Sequence, residues 1–224
     1  MKTFDLFVTF LLFLNGFTTA QTLIRDSCKK AAATDPELKL GFCVQSLEGD
    51  PQSKTATSLE GLVIASAKNA ASKMINVKGI VENILKDKRA SLGIEMLSVL
   101  RCCQCRAKAY YHRYLDIGGL KGIYYKWGPE TNAFFITLYA RLWMLLRGCV
   151  EFYDTAGDSI DEALTSVKSG DYDSAKVHLT AALDAPSDCE DGFMERKQHK
   201  SPFANENNVL SQKLSIPLDF TAML

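Results

Sequence analysis

The sequence predicts an all-α chain, an antiparallel four-helix bundle preceded by an N-terminal helical hairpin. Apolar residues recur at alternating spacings of four and three along Leu59, Val63, Ala67, Ala70, Met74, Val77, Val81 and Ile84. That rhythm winds one apolar face around a long helix. Further stripes of the same kind follow, and no strand-like alternation of useful length interrupts them. The cysteines fall into two widely separated pairs, Cys28 and Cys43, 15 positions apart, and Cys149 and Cys189, 40 apart.

What a cysteine means depends on the compartment. Met1–Ala20 carries Lys2, an apolar run from Leu6 to Leu14 and small residues ending in Thr18-Thr19-Ala20. This reads as a secretory signal peptide cut after Ala20. The run is too short to span a bilayer, which needs roughly 20 apolar residues. The mature protein is expected to start at Gln21 and to be secreted into an extracellular space, where disulfides are the default. No Asn-x-Ser/Thr sequon occurs, so N-glycosylation is not expected.

Residues 21–224 are expected to form one domain, with the hairpin at 21–50 and the bundle at 51–100 and 147–224. An atypical insert at about 101–146 interrupts it. In the hairpin, Ser27-Cys28-Lys29-Lys30 opens one short helix. Asp35-Pro36-Glu37 opens another by placing Asp before a proline at the first helical position. A Cys28–Cys43 bond would lock the two together, worth about 3 kcal/mol in the chain-entropy view. Gly49-Asp50-Pro51 then breaks the chain.

The stripe from Leu59 to Ile84 is the first bundle helix, with Gly79 a weak point costing roughly 1 kcal/mol against alanine. Val150, Tyr153, Gly157, Ile160, Leu164 and Val167 mark the second, ended by Ser169-Gly170. Tyr172, Ala175, Leu179 and Ala182 mark the third, with Asp171 as its N-cap. The last runs from Ser201-Pro202 through Val209, Leu214, Leu218 and Leu224, with Pro217 expected to kink it or end it early. A Cys149–Cys189 bond would staple the second helix to the third.

The formal net charge is zero, 26 basic residues against 26 acidic, but unevenly spread. Between Arg101 and Leu146 seven Lys/Arg face two acids, a local +5 that leaves −5 elsewhere. A basic insert on an acidic body suggests a mosaic and does not make a nucleic-acid binder. Seven cysteines is an odd number, so at least one thiol lacks an intramolecular partner. The surplus lies in Cys102, Cys103 and Cys105. With His112 these could suggest a metal knuckle, but four well-placed ligands are wanted and a second Cys-x2-Cys is missing. Phe134–Leu146 is too short an apolar run to span a membrane. His112, His178 and His199 sit in unrelated contexts and no nucleophile, base and orienting group converge. Glu190-Asp191 read as a solvated face. The chain is expected not to be an enzyme and to need neither cofactor nor metal.

Taken together, the residues resemble the plant invertase and pectin methylesterase inhibitors. The match lies in the two cysteine spacings, in Cys149-Val-Glu-Phe-Tyr-Asp and in Lys168-Ser-Gly-Asp-Tyr-Asp-Ser-Ala. It continues through Ala181-Ala-Leu-Asp, Asp188-Cys-Glu-Asp-Gly-Phe, Ser201-Pro-Phe-Ala-Asn-Glu-Asn-Asn and the leucine-ended last helix, over about residues 22–97 and 147–224. The N-terminal half, with Cys28-Lys-Lys and Phe42-Cys-Val-Gln-Ser-Leu, looks most like the plane-pollen-allergen branch. The resemblance implies a four-helix bundle behind a helical hairpin closed by Cys28–Cys43, with Cys149–Cys189 as the second bond. It also implies action by binding, with the bundle face laid across the cleft of a target enzyme, one to one.

The target implied is pectin methylesterase or acid invertase in the apoplast or cell wall. The protein is expected to be a monomer, with no nucleic-acid or membrane partner. Invertase inhibitors of this family place a Pro-Lys-Phe loop between the second and third bundle helices into the sucrose site. The corresponding positions here are Tyr172, Asp173 and Ser174, so the lysine has become an aspartate. That departure counts against invertase, because like charges at such a site cost affinity. Asp171, Tyr172 and Asp173 read first as a helix cap with a packed tyrosine and second as partner-binding residues. Residues 101–146 are not family-like and read as a spliced-in or mispredicted segment rather than an evolved module, since long inserts in compact domains are uncommon. A second functional reading is a non-inhibitory secreted helical protein, allergen-like, that binds a small molecule or nothing.

Overall fold

The computed structural model of the chain describes residues 20–102, 129–194 and 200–224, with side chains described over 20–87, 142–194 and 200–224. Residues 1–19 of the expected leader, the middle of the atypical stretch (103–128, with Cys103, Cys105 and His112) and His199 lie outside the described residues.

Helix α1 occupies residues 20–34 and α2 Leu40–Glu48. Ser27, expected to open the first helix, sits buried inside it. The reason is the stripe Ile24, Cys28 and Ala31, all fully buried, which begins a turn earlier. Asp35-Pro36-Glu37 forms a turn and not a helix start. Asp35 Oδ1 accepts the Glu37 N–H at 2.8 Å, and its carbonyl accepts the Leu38 N–H at 3.3 Å. The Asp side chain is thereby spent on an Asx turn, and the chain is extended at Lys39 before α2 begins. The Cys28–Cys43 disulfide joins the two helices at a Cα–Cα distance of 5.8 Å.

Asp50 Oδ2 accepts both the Ser53 N–H and its hydroxyl at 2.7 Å, fixing a short 3-10 turn at Ser53–Thr55. Ser58 Oγ accepts the Gly61 N–H at 3.1 Å, the N-cap bond that opens α3, Leu59–Cys102. Helix α4 spans Pro129–Ser169, α5 Tyr172–Met194 and α6 Ala204–Thr221. The described residues are all helical or connecting, without strands.

Side-chain pairings fix the directions. Lys73 of α3 meets Glu206 of α6, and further back along α3 Asn69 meets Lys213, further on in α6. Cys149 and Glu162 of α4 meet Cys189 and His178 of α5 in reversed order. In the ring α3–α4–α5–α6, α3 is therefore antiparallel to α6 and α4 to α5. Inside it, Val63, Ala67, Ala70, Met74, Val77 and Val81 are buried as the spacing predicts, with Leu59 and Ile84 partly so. Tyr153, Ile160, Leu164 and Val167 do the same for α4, and Ala175, Leu179 and Ala182 for α5. Each fully buried aliphatic side chain contributes about 1.5–3 kcal/mol.

A second core cements the hairpin to one end of the bundle. Ile24, Cys28, Leu38, Cys43 and Leu47 pack there with Leu62, Val63, Val167, Ala175, Ile216 and Phe220. Leu146, placed by sequence in the atypical stretch, is buried in the first core, with Leu142 and Leu145 packed against it. The packed bundle thus extends along α4 at least from Leu142.

The last helix differs from its expected register. Asn207, Leu210, Leu214, Pro217 and Phe220 face inward, whereas Val209 and Leu218 are half-buried and Leu224 is exposed. Pro217 neither ends the helix nor stops its burial, and the Thr221 hydroxyl donates to its carbonyl at 2.6 Å. Pro186 likewise lies buried within α5, which runs on to Met194.

Candidate functional site

The corner between α4 and α5 is built by local chemistry. Gly170 has φ +77°, the left-handed conformation that glycine enters without penalty. Its N–H donates to Val167 O at 3.0 Å and the Asp171 N–H to Ser166 O at 2.9 Å, a Schellman end to α4. Asp171 at once caps α5: Oδ1 accepts the Ser174 N–H at 3.1 Å and Oδ2 the Ser174 hydroxyl at 2.7 Å. These bonds, with the nearby His178 charge acting in the same direction, hold the Asp171 carboxyl below the usual range.

The three residues singled out by sequence are brought together there with different roles. Asp171 is spent on the cap. Tyr172 is half-buried against the second core. Asp173 projects into solvent, its side chain 93 % exposed, and pairs with Lys176 Nζ at 2.6 Å. His178 Nδ1 lies 3.0 Å from Glu162 Oε2 on the adjacent helix, tying the corner across α4 and α5. The corner is a fixed projection on which Asp173 is exposed and paired with Lys176.

The far end of the α4–α5 pair, away from the corner, is held by a rigid frame. The Cys149–Cys189 bond, buried at both ends, spans 4.9 Å between Cα atoms. Next to Cys189, Glu190 is not on a solvated face. Its carboxylate accepts the Ser201 N–H at 3.1 Å, the Ser201 hydroxyl, and Asn207 Nδ2–H at 2.6 Å. Asn207 Oδ1 in turn accepts the Tyr153 hydroxyl at 2.6 Å. Burial pushes the Tyr153 phenol well above its ordinary range, so it stays a neutral donor. Sequence reasoning missed this network. Its signal was there: Asn207 occupies the inward stripe Phe203, Asn207, Leu210, Leu214, where an apolar residue would be expected.

A second polar tie holds the hairpin. Lys213 Nζ donates to Ser46 Oγ at 2.9 Å and Asn69 Oδ1 at 2.6 Å, joining α6 to α2 and α3. Its half-burial lowers the ammonium pKa. A shallow cleft of about 280 Å³ between α3 and α4 is lined by Glu82, Leu85, Lys86, Trp143, Arg147 and Val150. The Arg147 guanidinium sits 5.2 Å from the Trp143 ring centre and closes over that face. Among the described residues no cluster of three or more His, Cys, Asp or Glu is arranged to hold a metal ion. No helix among them is long and apolar enough to cross a membrane.

Comparison with known proteins agrees with this architecture. The family model described as plant invertase/pectin methylesterase inhibitor matches residues 130–220, taking in the last part of the stretch set aside by sequence. Pectinesterase inhibitor 12 of Arabidopsis thaliana is 43 % identical over 224 residues, covering 100 % of both chains. A protein of Platanus acerifolia named "Putative invertase inhibitor" is 31 % identical over 218 residues, 97 % of this chain and 93 % of that one. Among solved structures, a mutant form of a pectin methylesterase inhibitor from Arabidopsis aligns with a TM-score of 0.54 at 18 % identity. That alignment covers 88 % of this chain and 93 % of the other, and it shows the shared fold. The relatives are named as inhibitors and not as enzymes. A hairpin closed by Cys28–Cys43, a bundle stapled by Cys149–Cys189 and a full-length likeness of this degree place the chain in the plant invertase/pectin methylesterase inhibitor family.

Proposed function

We propose that this chain is a secreted inhibitor of pectin methylesterase in the plant cell wall, acting as a monomer that covers the enzyme's cleft one to one. The observation that carries the reading is the 43 % identity, end to end, to a protein named a pectinesterase inhibitor. The frame suits the task. Two disulfides, a satisfied buried polar network and the capped starts of α3 and α5 leave a helical face with little freedom to lose, which lowers the entropic cost of association. The corner of Asp171, Tyr172 and Asp173 is proposed to lie at the rim of that face, with Asp173, exposed and paired with Lys176, as the side chain that meets the partner.

Acid invertase is the second reading, favoured by the likeness to the plane-tree relative. It is placed second because Asp173 stands where the family's invertase inhibitors carry a lysine. The test is a titration of the oxidised protein against both enzymes in parallel. Loss of pectin methylesterase activity alone supports the first reading, and loss of invertase activity alone reverses the order. Loss of neither, by a folded protein with both disulfides closed, rejects inhibition and favours a family fold kept without the family function.

A further inference from the structure

The hairpin docks on the last turns of α6, where Ile216 and Phe220 are buried in the second core among Ile24, Cys28, Leu38 and Cys43. Between those two anchors, on the same helix, stands an acid. Asp219 is half-buried, and its Oδ2 is buried with no hydrogen-bond partner among the described residues. A buried acceptor left unpaired is destabilising, so a group kept in that position calls for an explanation.

The electrostatics around it are one-sided. The charged group acting on Asp219 from the packed elements is Asp35, in the turn between α1 and α2, and it carries the same sign. Asp35 is itself fixed, because its Oδ1 holds the Glu37 N–H. The other charged side chains of α6 are engaged elsewhere, Lys213 with Ser46 and Asn69, and Glu206 with Lys73. A carboxylate whose oxygen is buried unpaired between two core anchors, within the field of a second acid, ionises only at a cost to the packing around it.

We propose that Asp219 is a proton-operated latch between hairpin and bundle: protonated, it lets the α1–α2 turn settle on α6, and ionised, it repels Asp35 and loosens the dock. This goes beyond the inhibitor reading and does not depend on which enzyme is bound. Burial, and then the Asp35 charge, push the Asp219 carboxyl up to about 7. An unfolded aspartate titrates near ~3.9. Between those two values the folded chain holds a proton that the unfolded chain has released. Stability therefore falls as pH rises through that window and levels off above it. The contribution runs opposite to ordinary acid denaturation and favours the docked hairpin in an acidic medium.

The experiment follows the Asp219 carboxyl by NMR in the intact oxidised protein across pH, together with melting and amide exchange of wild type and Asp219→Asn at pH 5 and 7.5. Asparagine copies the shape of the protonated acid and cannot ionise. The expected result is a carboxyl midpoint near neutrality and a wild type less stable at pH 7.5 than at pH 5. Amides of α1 and α2 should lose the most protection, after correction for intrinsic exchange. Asp219→Asn should raise stability at pH 7.5 and shrink the difference between the two pH values. A midpoint near 4, or a variant that keeps the full pH difference, overturns the latch. Should the variant fail to fold, the wild-type midpoint decides alone.

Discussion

Tyr153 of α4 and Asn207 of α6 meet inside the bundle, the phenol donating to the amide oxygen at 2.6 Å while the amide nitrogen donates to Glu190 of α5. One buried amide thus connects three helices, beside the disulfide that already joins two of them. Polar groups in such a position are tolerated only when satisfied. The network accordingly specifies one register of α6 against its neighbours.

Removing its centre should be costly. Asn207→Ala leaves the Tyr153 hydroxyl buried without an acceptor and takes a donor from Glu190, and is expected to lose about 1–3 kcal/mol. Tyr153→Phe should lose less, since only one bond goes. Urea unfolding of both variants and of the double mutant checks this, with a coupling of about 0.5 kcal/mol or more expected for a direct contact.

The same burial makes a prediction in alkali. Tyr153 holds its proton when folded, whereas an unfolded tyrosine titrates near ~10. Its contribution to stability is therefore unchanged at neutral pH and lost as pH rises beyond the unfolded value. Absorbance titration should show this phenol ionising only with unfolding, and Tyr153→Phe should soften the alkaline transition.

The two disulfides should fail differently. Replacing Cys149 and Cys189 with alanine opens a loop of 40 residues and should lower global stability by about 4 kcal/mol in the chain-entropy view. Replacing Cys28 and Cys43 releases a 15-residue loop, worth about 3 kcal/mol. Hydrogen exchange should show the second loss confined mainly to α1 and α2, with α4 and α5 still protected.

At the α4–α5 corner, backbone and charge can be tested apart. A Cβ built on Gly170 meets nothing within 4 Å, so Gly170→Ala should cost only the left-handed backbone penalty, about 1–2 kcal/mol. Thermal melting measures it, and inhibition by the folded variant should persist.

Asp173→Lys addresses target choice. The side chain is almost fully exposed, so stability should fall only slightly, through loss of the Lys176 pair and the like charge put in its place. If an acidic invertase site is what the corner meets, affinity for acid invertase should rise about tenfold, equivalent to about 1.4 kcal/mol. Inhibition constants for wild type and variant give the answer, and an unchanged value means the corner does not face that site.

The residues explain which parts of the fold could be read in advance. Val63 to Val81 were legible because the inward positions are apolar except Ser66, whose hydroxyl is spent on its own helix backbone, so spacing marks the face. Residues 27–30 misled because a Ser before a helical run resembles a cap, while Ile24 already continued the stripe upstream. Asp35-Pro36 carries the same composition as a helix start and as an Asx turn, and only the geometry distinguishes them. The register of α6 was hidden because Asn207 and Pro217 occupy inward positions, breaking the apolar pattern where burial is deepest. Pro186 went unread for the same reason, since a proline inside a helix contradicts local propensity and is held there by packing. Of the site, the Asp171 cap was readable from neighbouring residues. Glu190, Ser201 and Asn207 were not, because their meeting depends on how α5 returns to α6.

The mode of inhibition proposed for this molecule is the covering of a cleft. Its most direct test titrates a known concentration of pectin methylesterase with the oxidised protein, with and without competing pectin fragments. The account predicts a linear fall in activity that ends at one inhibitor per enzyme and weakens as fragments are added. Full activity beyond an equimolar amount, or inhibition indifferent to the fragments, would contradict it.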